Sequence, residues 1–380
     1  MENFNLQRMR ELLPKDLPKM PSWPNYHTSM NPDDEDDATN RALQHQTASR
    51  NETLPHIPEP PTPKPGPKSN LDLVNECDNF PYYQTDTRRY FAHVNTYYGL
   101  YVKQHPECEL GYVLPSVAGI FKGLPDWKVD DETRSLTLVK GEGEEERSRA
   151  IAATTLAMRQ TGHFEILKGW RDELYPVYGP KGEMLFSVER AASALFGVVT
   201  YGVHMSAFTR AQDGRLRLWV PRRAKSKQTY GGMLDNTVAG GIATGESPFE
   251  SLVREAAEEA SLDEGLVREN ARAVGMVTYF HIRDKRAGGE TRLLQPEVQY
   301  VYDLELAEDV VPKPSDDEVE GFELMGVEEV RDALRNGEFK PNCALVLLDF
   351  FIRHGILTPA DDGYIELVAR LHRMLEFPTV

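Results

Sequence analysis

Two periodicities alternate along the second half of this chain. Residues 199–208 and 215–223 alternate apolar and polar side chains with period two, and Gln212-Asp213-Gly214 between them is a hairpin turn signal. Residues 237–242 read as a further strand. At Phe249 the period changes to 3.6: Phe249, Leu252, Val253, Ala256 and Ala260 form one apolar stripe of a helix over 249–260. Glu255, Glu258 and Glu259 fall on another face of that helix, within roughly a quarter turn of one another. Residues 271–282 and 297–306 read as strands joined by the Gly-rich DKRAGGETR. Amphipathic helices are predicted over 327–337, 342–355 and 365–375.

Upstream the pattern is less regular. Residues 71–80 predict a short helix, and 98–104 and 111–121 are apolar segments broken by Gly and Pro. Residues 133–141 alternate like a strand, followed by a glutamate-rich turn and a helix over 148–159. Residues 1–68 read as a tail. They hold 12 of the 26 prolines, an acidic cluster over 33–37 and the stretch PHIPEPPTPKPGPKS, and such composition buries too little apolar surface to offset ordering entropy. Asn51-Glu52-Thr53 matches a glycosylation sequon, read as chance because no secretory signal accompanies it.

Length and charge narrow the function. A chain of 380 residues suffices for two domains, and a formal charge of −17 argues against nucleic-acid binding, which needs a basic footprint. Cys77, Cys108 and Cys343 have no metal-ligand spacing and an odd count, as expected in a reducing compartment. No apolar run approaches membrane-spanning length, and the N-terminus carries Glu2, Glu11 and Asp16 without an apolar core, so a cytoplasmic protein without a membrane partner is expected. The oligomeric state is left open.

Three carboxylates on one helix face repel each other unless something positive sits between them. A hard divalent cation such as Mg2+ takes oxygen ligands and pairs carboxylates with substrate phosphates. Gly240, Gly241 and Gly245 loosen the loop before the helix, so a backbone carbonyl there can reach the same ion. Arg254, flanked by acids, reads as an orienting group. The plainer alternative is a solvated acidic helix face.

The spacing decides between them. Gly240, five residues, Glu246, seven residues, Arg254-Glu255, then Glu258-Glu259 and Leu262 resembles the Nudix box, G-x5-E-x7-R-E-U-x-E-E-x-G-U with U aliphatic. Only Ser261, in place of the last glycine, departs from it. The resemblance implies an α/β/α sandwich with a mixed sheet, here preceded by a smaller α+β domain. It implies division into a tail (1–68), an N-terminal domain (69–197) and a hydrolase domain (198–380). It also implies a Mg2+-dependent diphosphatase, with Mn2+ able to substitute. Glu255, Glu258, Glu259 and the Gly240 carbonyl are then the expected metal ligands. Glu258 or Glu259 is the expected general base, with Glu246 an outer metal or water ligand.

The segments LVNECDNFP (73–81), GWRDELYPVYG (169–179), RAASALFGVVTYGVHM (190–205) and RRAKSKQTYGGMLDNTVAGG (222–241) narrow the resemblance further. They are similar to the thiamine-pyrophosphokinase-related Nudix subfamily: the Nudix half of the fungal kinase, stand-alone fungal relatives and plant chloroplast homologues. No kinase domain is expected within these residues. That resemblance implies hydrolysis of oxidised, damaged thiamine diphosphates such as oxothiamine and oxythiamine diphosphate to the monophosphates.

Other candidates carry a functional reading beside a structural one. Arg222, Arg223, Lys225 and Lys227 form either a diphosphate clamp or a solvated loop. Asp235 and Asn236 hold the far end of the substrate or form a turn. Glu297 is a further ligand or base, or a strand-edge carboxylate. Trp170 reads as a domain-interface anchor, and His93, His163, His204 and His281 as structural. An isopentenyl-diphosphate isomerase needs a catalytic Cys with a Glu; Cys343 lies in an apolar helix and no Cys is close to the box in sequence. A diphosphate sensor without turnover is the remaining alternative, against which the intact box acids speak, and hydrolysis of some other organic or nucleoside diphosphate stays open.

Overall fold

The computed structural model describes residues 66–227, 229–315 and 317–380. The tail expected over 1–68 and its sequon thus lie outside the described residues as far as residue 65.

The described chain opens with α1 (Asn70–Cys77), started by a reciprocal cap between Ser69 and Asp72, and α2 (Thr87–Val94), capped by Asp86. A small sheet of order β2-β1-β4-β3 follows, built from β1 (Tyr98–Val102), β2 (Gly111–Val113), β3 (Trp127–Asp130) and β4 (Ser135–Leu138). Next comes α3 (Glu144–Thr161), which starts four residues before the expected position. Glu144, Glu145 and Glu146, read from the pattern as a turn, form its first turn, where carboxylates meet the positive end of the helix dipole. The hairpin of β5 (Leu174–Tyr178) and β6 (Met184–Glu189) then leads to the second sheet.

That sheet contains β7 (Thr200–Arg210), β8 (Leu216–Arg223), β9 (Val238–Gly241), β10 (Arg272–Ile282), β11 (Leu294–Glu305) and β12 (Val319–Gly326). Its order is β10-β11-β7-β8-β12. β11 runs parallel to β7, while β8 and β9 pair antiparallel with different stretches of β7. Between the strands lie α4 (Pro248–Ala260) and α5 (Glu264–Asn270), and after β12 come α6 (Val327–Arg335), α7 (Pro341–Arg353) and α8 (Tyr364–Leu371). β12 has no counterpart in the sequence pattern, because a register shift between Val319 and Gly321 breaks its alternation.

Strand parity divides the apolar side chains between the two faces of the sheet. Val203, Met205, Ala207, Val298 and Leu304 pack with Leu252 and Val253 of α4. Phe208, Val277 and Val301 pack with the apolar side of α7. Helices on both faces of a mixed sheet make the expected α/β/α sandwich, preceded by a smaller α+β unit.

Residues 70–81 join the two parts of the chain. The Phe80 N–H donates to Phe280 O at 3.0 Å, the Phe280 N–H donates to Asp78 Oδ1 at 3.0 Å, and the Phe80 and Phe280 rings stack at 4.2 Å. Beneath them His93 is fully buried between Phe80 and Tyr97, and neither ring nitrogen has a partner. Burial, with Arg89 adding to it, lowers its pKa to about 4. A group held neutral in this way contributes stability that is present above the free value and lost as pH falls from about 6.5 to 4. The urea midpoint should therefore fall across that window, and His93→Phe should flatten the loss. An equal slope in the variant would assign the acid sensitivity to other groups.

Candidate active site

The loop from β9 into α4 is shaped by close approach. A Cβ on Gly240 would overlap the Glu255 carboxyl group, and one on Gly241 would overlap the Tyr175 hydroxyl. Only glycine lets the strand end pass between these two side chains. α4 starts with Ser247 accepting from the Glu250 N–H, has Pro248 in its first turn, and is tied back by Ser251 Oγ donating to Gly241 O at 3.1 Å. It ends at Ser261 with φ 51° and ψ 34°, the left-handed geometry in which serine costs about 1 kcal/mol relative to glycine.

The acids of this loop and helix separate into three roles. Glu255 and Glu259 lie in the cavity wall, and Glu259 accepts from the Ala239 N–H at 3.0 Å. Glu258 sits at the rim, its side chain 55% exposed. Glu246 does not line the cavity: Arg254 donates to both of its oxygens, at 2.8 and 3.0 Å, and the same guanidinium reaches Glu255 and Glu258. Arg254, expected to orient a carboxylate, is thus placed against Glu246, Glu255 and Glu258 at once. Burial first, then repulsion from Glu255, raises Glu259 to about 8, with the Ala239 N–H opposing; Glu255 is raised by burial against the pull of Arg254.

These acids line a cavity of about 490 Å³ over the α7 face of the sheet. Its floor is polar where a sheet face is usually apolar. Tyr279 and Glu297 are direct partners in the ladder, as are His281 and Gln295, and Gln299 lies above Gly202, which has no side chain to obstruct it. Tyr279 Oη donates to Glu297 Oε2 at 2.5 Å and Gln299 Nε2 donates to the same oxygen at 2.6 Å. His281 donates through Nδ1 to Cys77 O at 3.0 Å, and its Nε2 has no partner. Of this floor the sequence singles out only Glu297. The missed signal is the alternation Gln295-x-Glu297-x-Gln299 beside Tyr279-x-His281-x-Arg283, with polar residues on the inward face of both strands. His204 and His281, read as structural, also line the cavity.

The remaining candidates are placed differently from expectation. Arg222 points off the cavity and donates to Gly232 O at 3.0 Å, because its neighbour Arg223 takes the inward position on β8. Lys225 does not line the cavity either. Arg223 does, but it is neutralised by Asp235 at 2.6 Å, and Lys227 is paired with Glu318. Asp235 and Asn236 are buried away from the cavity surface: Asp235 holds Arg223 and accepts from the Cys343 thiol, and Asn236 holds His204 Nδ1 at 2.7 Å. Trp170 bonds Asp172 at 2.8 Å and stacks on Arg159, outside the cavity. Cys77 lines the cavity although it is far from the box in sequence, but burial pushes its thiol well up and leaves no thiolate nucleophile.

The donor set suits a hard cation. Among the described residues no three His, Cys, Asp or Glu side chains are drawn together as a cage, since Arg254 bridges the outer acids. Glu255 and Glu259 nevertheless form a mutually repelling pair of carboxylates in the cavity wall. Oxygen donors of that kind match Mg2+ better than a softer metal.

Comparison with known proteins agrees with this geometry. Residues 200–343 match the NUDIX domain, and residues 89–200 match a domain of unknown function (DUF4743). The Saccharomyces cerevisiae protein YJR142W is 41% identical over 256 residues, which cover 66% of this chain and 75% of the yeast protein. Nudix hydrolase 20, chloroplastic, from Arabidopsis thaliana is 42% identical over 229 residues, 60% of this chain and 58% of the plant protein. The crystal structure of DR0079 from Deinococcus radiodurans aligns over 53% of this chain and all of its own, at 22% identity and a TM-score of 0.31. Among the described residues no helix is long and apolar enough to cross a membrane. With the complete spacing of acids around Arg254 and these relatives, the chain belongs to the Nudix family of hydrolases, which act on diphosphate anhydrides.

Proposed function

We propose that this chain is a Mg2+-dependent diphosphatase, with Mn2+ able to substitute, that converts oxidised thiamine diphosphates such as oxothiamine and oxythiamine diphosphate to the monophosphates. The observation that carries the reading is the pair Glu255 and Glu259, side by side in the wall of a polar cavity large enough for an organic diphosphate. Glu255, Glu259, the rim residue Glu258 and the Gly240 carbonyl would hold the cation. Bound there, it would polarise a phosphoryl oxygen and lower the pKa of an attacking water. Glu258 or Glu259 would accept the proton of that water. Arg254 keeps Glu255 and Glu258 in place, and Glu246 acts from behind by fixing Arg254. Residues 69–197 are read as the subfamily-specific unit and 198–380 as the hydrolase unit, in a cytosolic enzyme whose partner is a small molecule.

The choice of organic group rests on the resemblance of residues 73–81, 169–179, 190–205 and 222–241 to the thiamine-pyrophosphokinase-related subfamily. The cavity floor supports a polar ring as that group. Tyr279, His281, Glu297 and Gln299 offer polar atoms away from the box acids, and an isoprenoid chain would leave the His281 Nε2 without a partner. Both diphosphates look alike to the metal end, so discrimination between oxidised and intact cofactor must come from this floor. The ratio of kcat/KM for oxothiamine diphosphate over thiamine diphosphate should exceed about 10, or roughly 1.4 kcal/mol of differential transition-state binding. The test is hydrolysis with Mg2+ across thiamine, nucleoside and isoprenoid diphosphates and ADP-ribose, followed through both free phosphate and the phosphomonoester products. A ratio near one, or faster hydrolysis of ADP-ribose or another nucleoside diphosphate, would sink the thiamine assignment and leave the diphosphatase chemistry intact.

A further inference from the structure

We propose that Arg190, carried by the N-terminal unit, is a substrate-binding residue that takes phosphoryl oxygens of the diphosphate, so that this unit completes the active site. The proposal rests on the diphosphatase reading and adds to it a residue outside the box and outside residues 200–343. Arg190 follows β6 directly and lines the same cavity as Gly240, Glu255 and Glu259. Its Nη1 donates to Glu173 at 2.8 Å, and its guanidinium carbon lies 5.6 Å from the centre of the Tyr175 ring. That ring is itself buried, with its hydroxyl packed against Gly241 at the mouth of the box loop. The guanidinium is thus fixed on one edge by a carboxylate and on one face by a ring. Its Nε and Nη2 make no hydrogen bond among the described residues, and the side chain is 35% exposed.

Of the other four arginines of the cavity three are committed elsewhere, and the fourth, Arg171, faces Glu318 at 3.6 Å with its side chain 46% exposed. Arg223 is closed off by Asp235, and Arg254 bridges the box acids. Arg283 donates to the Ala287 and Gly288 carbonyls and to Gln295. Arg190 keeps an unused, pre-oriented edge of its fork beside the carboxylates that would hold the metal. A planar fork of that kind suits two phosphoryl oxygens better than a lysine would. The hairpin of β5 and β6 then serves as more than a neighbouring surface: Glu173 and Tyr175 are positioning residues for Arg190.

The test uses the full chain and imidodiphosphate, a diphosphate that resists hydrolysis, with Mg2+ in calorimetric titration. Arg190→Gln should weaken binding at least about 10-fold with an unchanged melting temperature, and Arg190→Lys should fall between it and wild type. Wild-type affinity in Arg190→Gln would overturn the proposal. If Arg190→Gln does not fold, the native protein decides: imidodiphosphate should slow phenylglyoxal modification of Arg190, and unchanged modification would overturn it. The two readings fail separately. A wild-type chain that hydrolyses no diphosphate sinks the enzyme reading, whereas an active chain whose Arg190→Gln variant binds normally sinks only this one.

Discussion

Glu259→Gln should slow turnover at least about 100-fold, near 2.7 kcal/mol of barrier, without unfolding the protein. The side chain lies off the apolar stripe of α4, and Gln keeps an oxygen for the Ala239 N–H. What it loses is the charge that faces Glu255. Stability gives a second readout that a general packing defect would not reproduce. Burial and the charge of Glu255 raise the wild-type carboxyl to about 8, far above its free value. A raised carboxyl contributes stability that is full below about 4.5 and is lost as pH climbs through about 8. In EDTA the wild-type urea midpoint should therefore fall across that window, and the variant should be flatter. Near wild-type phosphate release by Glu259→Gln with Mg2+ would move the reaction centre elsewhere in the molecule.

The box was legible because its information is local. Gly240, Glu246, Arg254 and the three following glutamates keep a fixed spacing on one loop and one helix, and the 3.6 period separates acids from core positions without tertiary knowledge. Their division of labour was not legible. Nothing in a seven-residue gap says that Arg254 closes on both oxygens of Glu246 and takes that acid out of the cavity. The floor lay in plain alternation on β10 and β11, but a polar inward face reads like an ordinary solvated one until the helix that covers it is known. Arg190 and Tyr175 lay within quoted subfamily segments without being singled out. The approach of Tyr175 to Gly241 depends on how the β5–β6 hairpin folds over the box loop, a contact about 65 residues apart in sequence. The early start of α3 has a simpler cause: a run of glutamates is both a turn signal by polarity and a favourable first helical turn by charge.

Asp235→Ala should destabilise the protein by about 3–5 kcal/mol, a larger effect than any substrate contact would produce. The sequence allowed Asp235 to reach substrate, but its side chain is 8% exposed and that of Arg223 is 12% exposed, with 2.6 Å between them. Removing one partner leaves a charge with little water to solvate it, and the penalty is the desolvation of that stranded ion rather than the worth of the pair. The loss spreads further, because the same carboxylate accepts from the Cys343 thiol and from the Asn236 N–H, and Asn236 in turn holds His204 in the cavity lining. Burial alone would push the Asp235 carboxyl up, but Lys340 and Arg223, helped by Cys343, overcome it and hold the group well below the usual carboxylate range. Its contribution is accordingly present above about pH 4 and lost only as pH falls below that. Urea unfolding at pH 7 checks the magnitude, and the gap between wild type and variant should narrow in acid. A variant with wild-type stability but a raised KM would instead return Asp235 to the substrate and show that the Arg223 pair is not what holds this corner together.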